Sequence, residues 1–196
     1  MNPDLLYLGT EFGAHASLDR GQSWFPLGDL PHVAVHEFAQ PETADEVVAA
    51  THGRSLWIAD VTALRGLDSK AREEGRVLLP VRDGHLDPRR YLERGSTIRR
   101  FEGQNPAAGP DLVYLLEEKA DISLVIEDEA GELVREFEEL SGDAGLHRVA
   151  WDLRGSRRDR EGKLRSASRV GAGQYRAVLT VGDRRHVQPV VVRELD

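Results

Sequence analysis

The sequence predicts an all-β fold in two strand-rich parts, joined by a short helix and a connector. Short apolar runs rich in Val, Leu and aromatics, bounded by Gly, Pro, Asp or Asn, recur through residues 4–60 and again from 111 onward. None of these runs reaches the length of an average helix. Only residues 62–75 keep a helical period.

The first part reads as six strands in order: "LLYLGT", "HASLD", "SWFPL", "VAVHEFA", "DEVVAAT" and "SLWIAD". Two stretches inside it repeat. "LLYLGTEFGAHASLD" and "EVVAATHGRSLWIAD" share an apolar run, Thr10 or Thr51, a turn with Gly13 or Gly53, and a second strand ending in Asp19 or Asp60. The period is about 41 residues, close to one blade of a β-propeller. On that reading residues 1–61 hold about one and a half blades of an incomplete propeller, and an open sheet of this kind leaves pairing edges bare. The expectation is therefore a C-terminal piece of a longer protein, or a chain whose missing blades come from a partner chain.

Residues 62–110 read as a helix and a Pro/Arg-rich connector. Thr62 is placed to cap the helix, Leu64, Leu67 and Ala71 recur on one face, and Gly75 stops it. Charge shifts along the chain. Residues 1–60 carry nine acidic side chains against Arg20 and Arg54, the middle turns basic, and the whole chain has net charge −8. The connector arginines Arg89, Arg90, Arg94, Arg99 and Arg100 have only Tyr91 and Phe101 as aromatic company. A solvated connector explains them better than a nucleic-acid surface, and no nucleic-acid partner is expected.

Residues 111–196 return to strands, roughly seven in all, of which six are distinct runs, "DLVYLLE", "ADISLVIED", "LVREFEEL", "HRVAWDL", "GQYRAVLTV" and "HVQPVVVREL", with turns at Gly131 and "GDRR". Ile122, Leu124 and Ile126 alternate as a half-buried strand requires. His147, Val149 and Trp151 share one face, as do Tyr175, Ala177, Leu179 and Val181. Pro189 suits an edge strand. Size and rhythm match an immunoglobulin-like β-sandwich.

The most informative turn is "ASLDRGQSW". Asp19 can accept backbone N–H groups across it, Gly21 supplies positive φ, and Ser17 and Ser23 can bond at its two ends. Trp24 is expected to bring its ring between adjacent sheets. Every residue here has a structural job.

That turn resembles the Asp-box, Ser/Thr-x-Asp-x-Gly-x-Ser/Thr-Trp, of BNR-repeat proteins, at Ser17, Asp19, Gly21, Ser23 and Trp24. "LLYLGTEFG" precedes it and "THGRSLWIAD" follows, the latter similar to the closing blade of sortilin/Vps10-like propellers. The tail resembles an FlgD-type immunoglobulin-like module at Asp128, Gly131, Val149, Trp151, Asp152, Gly173, Tyr175 and Leu179. The resemblances imply a non-catalytic recognition or scaffold fragment that binds protein or glycan, from a parent protein that is exported or held at the cell envelope. The alternative they leave open is the tail of a sialidase- or xyloglucanase-like propeller glycosidase whose catalytic residues lie upstream.

The residues themselves offer little chemistry. Glycoside hydrolysis usually needs two carboxylates across a cleft, and nothing in the spacing of Glu11, Glu37 and Asp60 pairs them. Tyr7 with Glu11 is a weaker imitation of a nucleophile pair, and no catalytic residue is assigned. His15, His32, His36 and His52 lack a metal-ligand spacing on strands, so no metal or cofactor is expected. A candidate polar pocket is built from His36, His52 and Arg54. The chain has no cysteine and no apolar run of about 18 residues that would span a membrane. The opening "MNPDLLYLGTEFG" lacks the basic and apolar regions of a signal peptide.

Overall fold

The computed structural model describes residues 2–28, 30, 32–41, 45–69, 73, 78–86 and 109–194. The described residues are almost entirely β and fall into two compact units, one within residues 1–75 and one built from 78–86 and 109–194.

The first unit holds two three-stranded antiparallel sheets. One is β1 (Leu6–Thr10), β2 (Gly13–Ser17) and β3 (Phe25–Pro26); the other is β4 (Val35–Ala39), β5 (Glu46–Thr51) and β6 (Leu56–Asp60). The stretch "SWFPL" keeps only Phe25 and Pro26 in a ladder. The β1–β2 and β5–β6 hairpins close alike: the Thr10 hydroxyl donates to the Gly13 carbonyl at 3.0 Å, and the Thr51 hydroxyl to the Ser55 carbonyl at 2.6 Å. The sheets meet through small residues, Ala14, Ala16, Val35, Val47 and Ala49, sealed by Leu27 and Val61. Gly9 permits the approach, because a Cβ there would stand 2.5 Å from the Val35 carbonyl oxygen.

The expected helix is interrupted, and Ser69 and Glu73 beyond the break are again helical. α1 spans Thr62–Gly66, and Leu67 leaves helical geometry at φ −99°, ψ 62°. Thr62 does not cap it. Thr62 lies in the first turn, and its N–H and hydroxyl both donate to Asp60 Oδ1, at 2.9 and 2.6 Å. Leu67, at the break, is 4 % exposed.

The second unit has a five-stranded sheet in the order β10 (Leu133–Glu136), β9 (Ile122–Asp128), β14 (Gly173–Val181), β15 (Arg184–Glu194) and β7 (Gly84–Leu86). Registers put Leu124 opposite Leu179, Ile126 opposite Ala177, and Tyr175 opposite Val190, so one face collects the apolar side chains. That face shares a core with Leu112, Tyr114 and Leu116 of β8 (Asp111–Leu116), which pairs with β11 (Gly145–Ala150). Trp151, just beyond β11, is fully buried; its Nε1 donates to the Arg154 carbonyl at 3.0 Å, and its ring meets Tyr175 edge-on at 5.6 Å. Close packing requires Gly109, where a Cβ would collide with the Trp151 carbonyl.

Three expectations change here. A hairpin of β12 (Arg154–Arg158) and β13 (Leu164–Arg169) raises the strands from 111 onward to eight among the described residues. Residues 78–86 do not run free in solvent: Leu78 and Leu79 are buried, and β7 pairs in parallel with β15. β15 is therefore not the sheet edge throughout, but β7 reaches only Val192 to Glu194, and Pro189 is laddered to β14 alone, opposite Arg176. The missing N–H of Pro189 thus falls where the outer side carries no β7 pairing.

Candidate functional site

The 17–24 turn is closed on itself. Ser17, wholly buried at the end of β2, donates its hydroxyl to Asp19 Oδ1 at 2.7 Å and accepts the Gly21 N–H at 2.8 Å. Asp19 Oδ1 also accepts the Ser23 N–H at 2.9 Å, and Oδ2 accepts the Ser23 hydroxyl at 2.5 Å. These bonds favour the ionised carboxylate, the Ser23 hydroxyl most, and the pKa of Asp19 falls from 3.8 to about 2. Gly21 has φ +89°. Trp24 departs from expectation. Its ring does not insert between sheets; it is 39 % exposed, and its Nε1 donates back to the Gly21 carbonyl at 3.1 Å. With the indole satisfied inside its own turn, the ring becomes a lid on that turn.

Sequence reading missed the clamp behind the turn. Asp4 is buried, and its Oδ1 accepts Arg20 Nε at 2.8 Å while Oδ2 accepts the Ser69 N–H at 3.1 Å. The Arg20 hydrogen bond is the largest cause of the lowered Asp4 pKa. Asn2 Oδ1 holds the Asp4 N–H at 3.0 Å, and Asn2 Nδ2 donates to the Leu64 carbonyl at 3.1 Å. The "NPD" start was a visible signal, an Asx residue locked before proline and followed by an acceptor. An acid-lined cavity of about 450 Å³ lies beside this clamp, bordered by Asp4, Asp19, Arg20 and Glu73.

His36 and His52 come together. The β4–β5 register slips between Val35 and Glu37, which frees His36 from the regular ladder. The His52 N–H donates to the Ala34 carbonyl at 2.9 Å, so both imidazoles sit at the same sheet end. His36 Nε2 lies 3.1 Å from His52 Nδ1, and one ring donates to the other. Both rings are exposed. Arg54 enters through its main chain, whose carbonyl accepts Trp57 Nε1 at 3.0 Å in a loop with Gly53 at φ +72° and Ser55 at φ +73°. His32 is also exposed. No group of three His, Cys, Asp or Glu side chains able to hold a metal occurs among the described residues.

Glu11, Glu37 and Asp60 are exposed, and Asp60 serves Thr62. Tyr7 packs against Phe38, ring centroids 5.9 Å apart, and borders a cavity of about 330 Å³ with Gln40 and Arg65. Burial is the main cause of its raised pKa. The connector arginines named above, with Tyr91 and Phe101, lie outside the described residues. No helix among the described residues is long and apolar enough to cross a membrane.

No protein-family model matches the sequence, and no curated protein does. Among solved structures the chain is similar to PorZ, an essential bacterial surface component of the type-IX secretion system of Porphyromonas gingivalis. Identity is 14 % and the TM-score 0.30, over 98 % of this chain and 29 % of that one. The chain thus spans less than a third of that protein. A likeness of this size assigns neither family nor function.

Proposed function

We propose that this chain is a non-catalytic scaffold and recognition module of BNR-repeat type. Its first unit supplies propeller sheets closed by an Asp-box, its second is an FlgD-type immunoglobulin-like domain, and the ligand is protein or glycan. The observation that supports this reading is the state of Asp19. All its hydrogen bonding is directed into its own turn, and its pKa moves away from the range a proton-transferring acid needs at neutral pH. A carboxylate so committed holds a loop in place. The exposed His36–His52 pair, with Arg54 in the adjoining loop, is the contact surface on this reading.

The test incubates the intact chain with sialyllactose and with xyloglucan oligosaccharides, following both binding and product release. Binding of either sugar without turnover, weakened in a His52→Ala, Arg54→Ala double variant, is the expected outcome for a glycan ligand. A protein ligand is tested by the same double variant in pull-downs against the parent organism's surface extract. Release of free sugar by the chain overturns the non-catalytic reading, and unchanged binding in the double variant removes the assigned surface.

A further inference from the structure

The β12–β13 hairpin, residues 154–169, carries seven basic side chains against Asp159 and Glu161, in a chain whose net charge is −8. The strands before it are the reverse: residues 111–153 hold thirteen acidic side chains against Lys119, Arg135 and Arg148. These neighbours neutralise little of the excess. Among the described residues only Arg158 of the hairpin pairs with them, Nη2 lying 2.6 Å from Glu136 Oε1 and Nη1 3.6 Å from Glu138 Oε1. Arg165 stays inside the hairpin, its Nε 2.9 Å from Asp159 Oδ2. That bond is the main cause of the lowered Asp159 pKa, to which Arg157 adds a through-space pull. The side chains of Arg160, Lys163 and Arg169 are exposed and make no hydrogen bond or ion pair among the described residues.

The ladder sharpens this excess. Arg157 stands directly opposite Arg165, and Arg154 opposite Arg169. Like charges facing each other across strands oppose the pairing. One charged row is enough to guard an edge strand, so protection from aggregation does not account for arginines on both strands. The ribbon is nevertheless fixed to β10. Ser156 Oγ accepts the Glu136 N–H at 2.9 Å, and Arg135 Nη1 donates to the Gly155 carbonyl at 3.2 Å. An anion lying along the ribbon would relieve both facing pairs.

Composition narrows the ligand. No aromatic ring occurs between Trp151 and Tyr175, so nucleic-acid bases have nothing to stack on. A duplex would bring further phosphates against the acidic residues of β9 and β10 beside the ribbon. None of the exposed large apolar side chains lies on the hairpin, which therefore lacks an anchor for a protein partner and a wedge for a lipid surface. A narrow chain of repeated carboxylates needs neither, and guanidinium forks take carboxylates two hydrogen bonds at a time.

We infer that the β12–β13 hairpin binds a linear polysaccharide of uronate type, its carboxylates received by arginines from both strands. This surface belongs to the second unit and does not depend on the role given to His36, His52 and Arg54.

Fluorescence anisotropy of the intact chain with fluorescein-labelled alginate oligosaccharides tests this. Binding is expected to weaken as salt rises. Arg157→Gln with Arg169→Gln, one arginine from each facing pair, lowers the affinity about tenfold. Arg184→Gln with Arg185→Gln removes the same charge elsewhere and leaves the affinity within about twofold, as does the His52→Ala, Arg54→Ala variant. Circular dichroism checks folding, and Arg160→Gln with Lys163→Gln replaces the hairpin variant if that variant unfolds. The inference is overturned by a wild type that does not bind alginate, by affinity retained in the folded hairpin variant, or by an equal loss in the Arg184, Arg185 variant. Tighter binding of a DNA oligonucleotide or of phosphatidylserine vesicles than of alginate overturns it as well.

Discussion

The buried core of the first unit is Ala14, Ala16, Leu27, Val35, Val47, Ala49 and Val61, with Tyr7, Phe25, Phe38 and Trp57 packed half-buried against it, while that of the second is assembled from Trp151, Tyr114 and a shell of leucine, isoleucine and valine. The largest aliphatic side chains of the first unit's paired strands, Leu6, Leu8, Leu56 and Ile58, stand outside its core. Small residues let two sheets approach closely but bury little area, so hydrogen-bonded turns and clamps carry more of the stability there. The second unit encloses its large side chains and depends on packing.

Truncation should separate the two most sharply. Trp151→Ala removes a fully buried indole and is expected to cost the second unit about 3–5 kcal/mol, read as a loss of denaturation midpoint. An effect under about 1 kcal/mol would mean that packing is not what holds this unit. Ser17→Ala leaves the Gly21 N–H without its acceptor and should cost the first unit about 1–3 kcal/mol, with faster amide exchange in β1 to β3. Unchanged exchange there would show that the turn is ornamental. Gly131→Ala, at φ +87°, should cost about 1 kcal/mol in the second unit, and a neutral result would mean that the backbone relaxes freely there.

Acid divides the units by range. Burial lowers the His186 pKa below 6.5, with Arg184 adding to the effect. The unfolded chain takes up that proton first, so the contribution is full above 6.5 and fades as pH falls below it. Asp19 and Asp4 are lowered from 3.8, so their contribution to the first unit persists through that window and is lost only as pH falls below 3.8, for Asp19 toward about 2. A melting profile against pH, repeated with His186→Gln, should show a mildly acidic slope in the second unit that the variant flattens. The same slope surviving in the variant would remove His186 as its source.

Apolar alternation made most strands legible, because β9, β14 and the paired strands of the first unit are patterned by what they bury. β12 and β13 escaped because "RGSRR" and "LRSASR" have almost no apolar pattern. Their turn was readable all the same. Asp159 accepts the Lys163 N–H four residues on at 3.0 Å, as Asp128 does for Glu132 at 2.9 Å and Asp19 for Ser23. Asp-x-x-Gly occurs at both 128–131 and 159–162. The helical period over 62–75 was legible, but the break at Leu67 was not, since the period runs through it without a mark. Trp24 was misplaced because its nearest acceptor, the Gly21 carbonyl, lay within its own turn. The His36–His52 contact depends on a register slip in β4, which no local pattern announces. The "NPD" start announced the local bond from Asp4 to Asn2, but not the clamp, because Arg20 and Ser69 are distant in sequence.

Asp19 is, above all, a fixed structural anion. A carboxyl-carbon NMR titration of the intact chain, with Asp19 assigned, reads this directly. The structure predicts a midpoint near 2, with the amides of Gly21 and Ser23 shifting in step. A midpoint at or above 3.8, uncoupled from those amides, would contradict it.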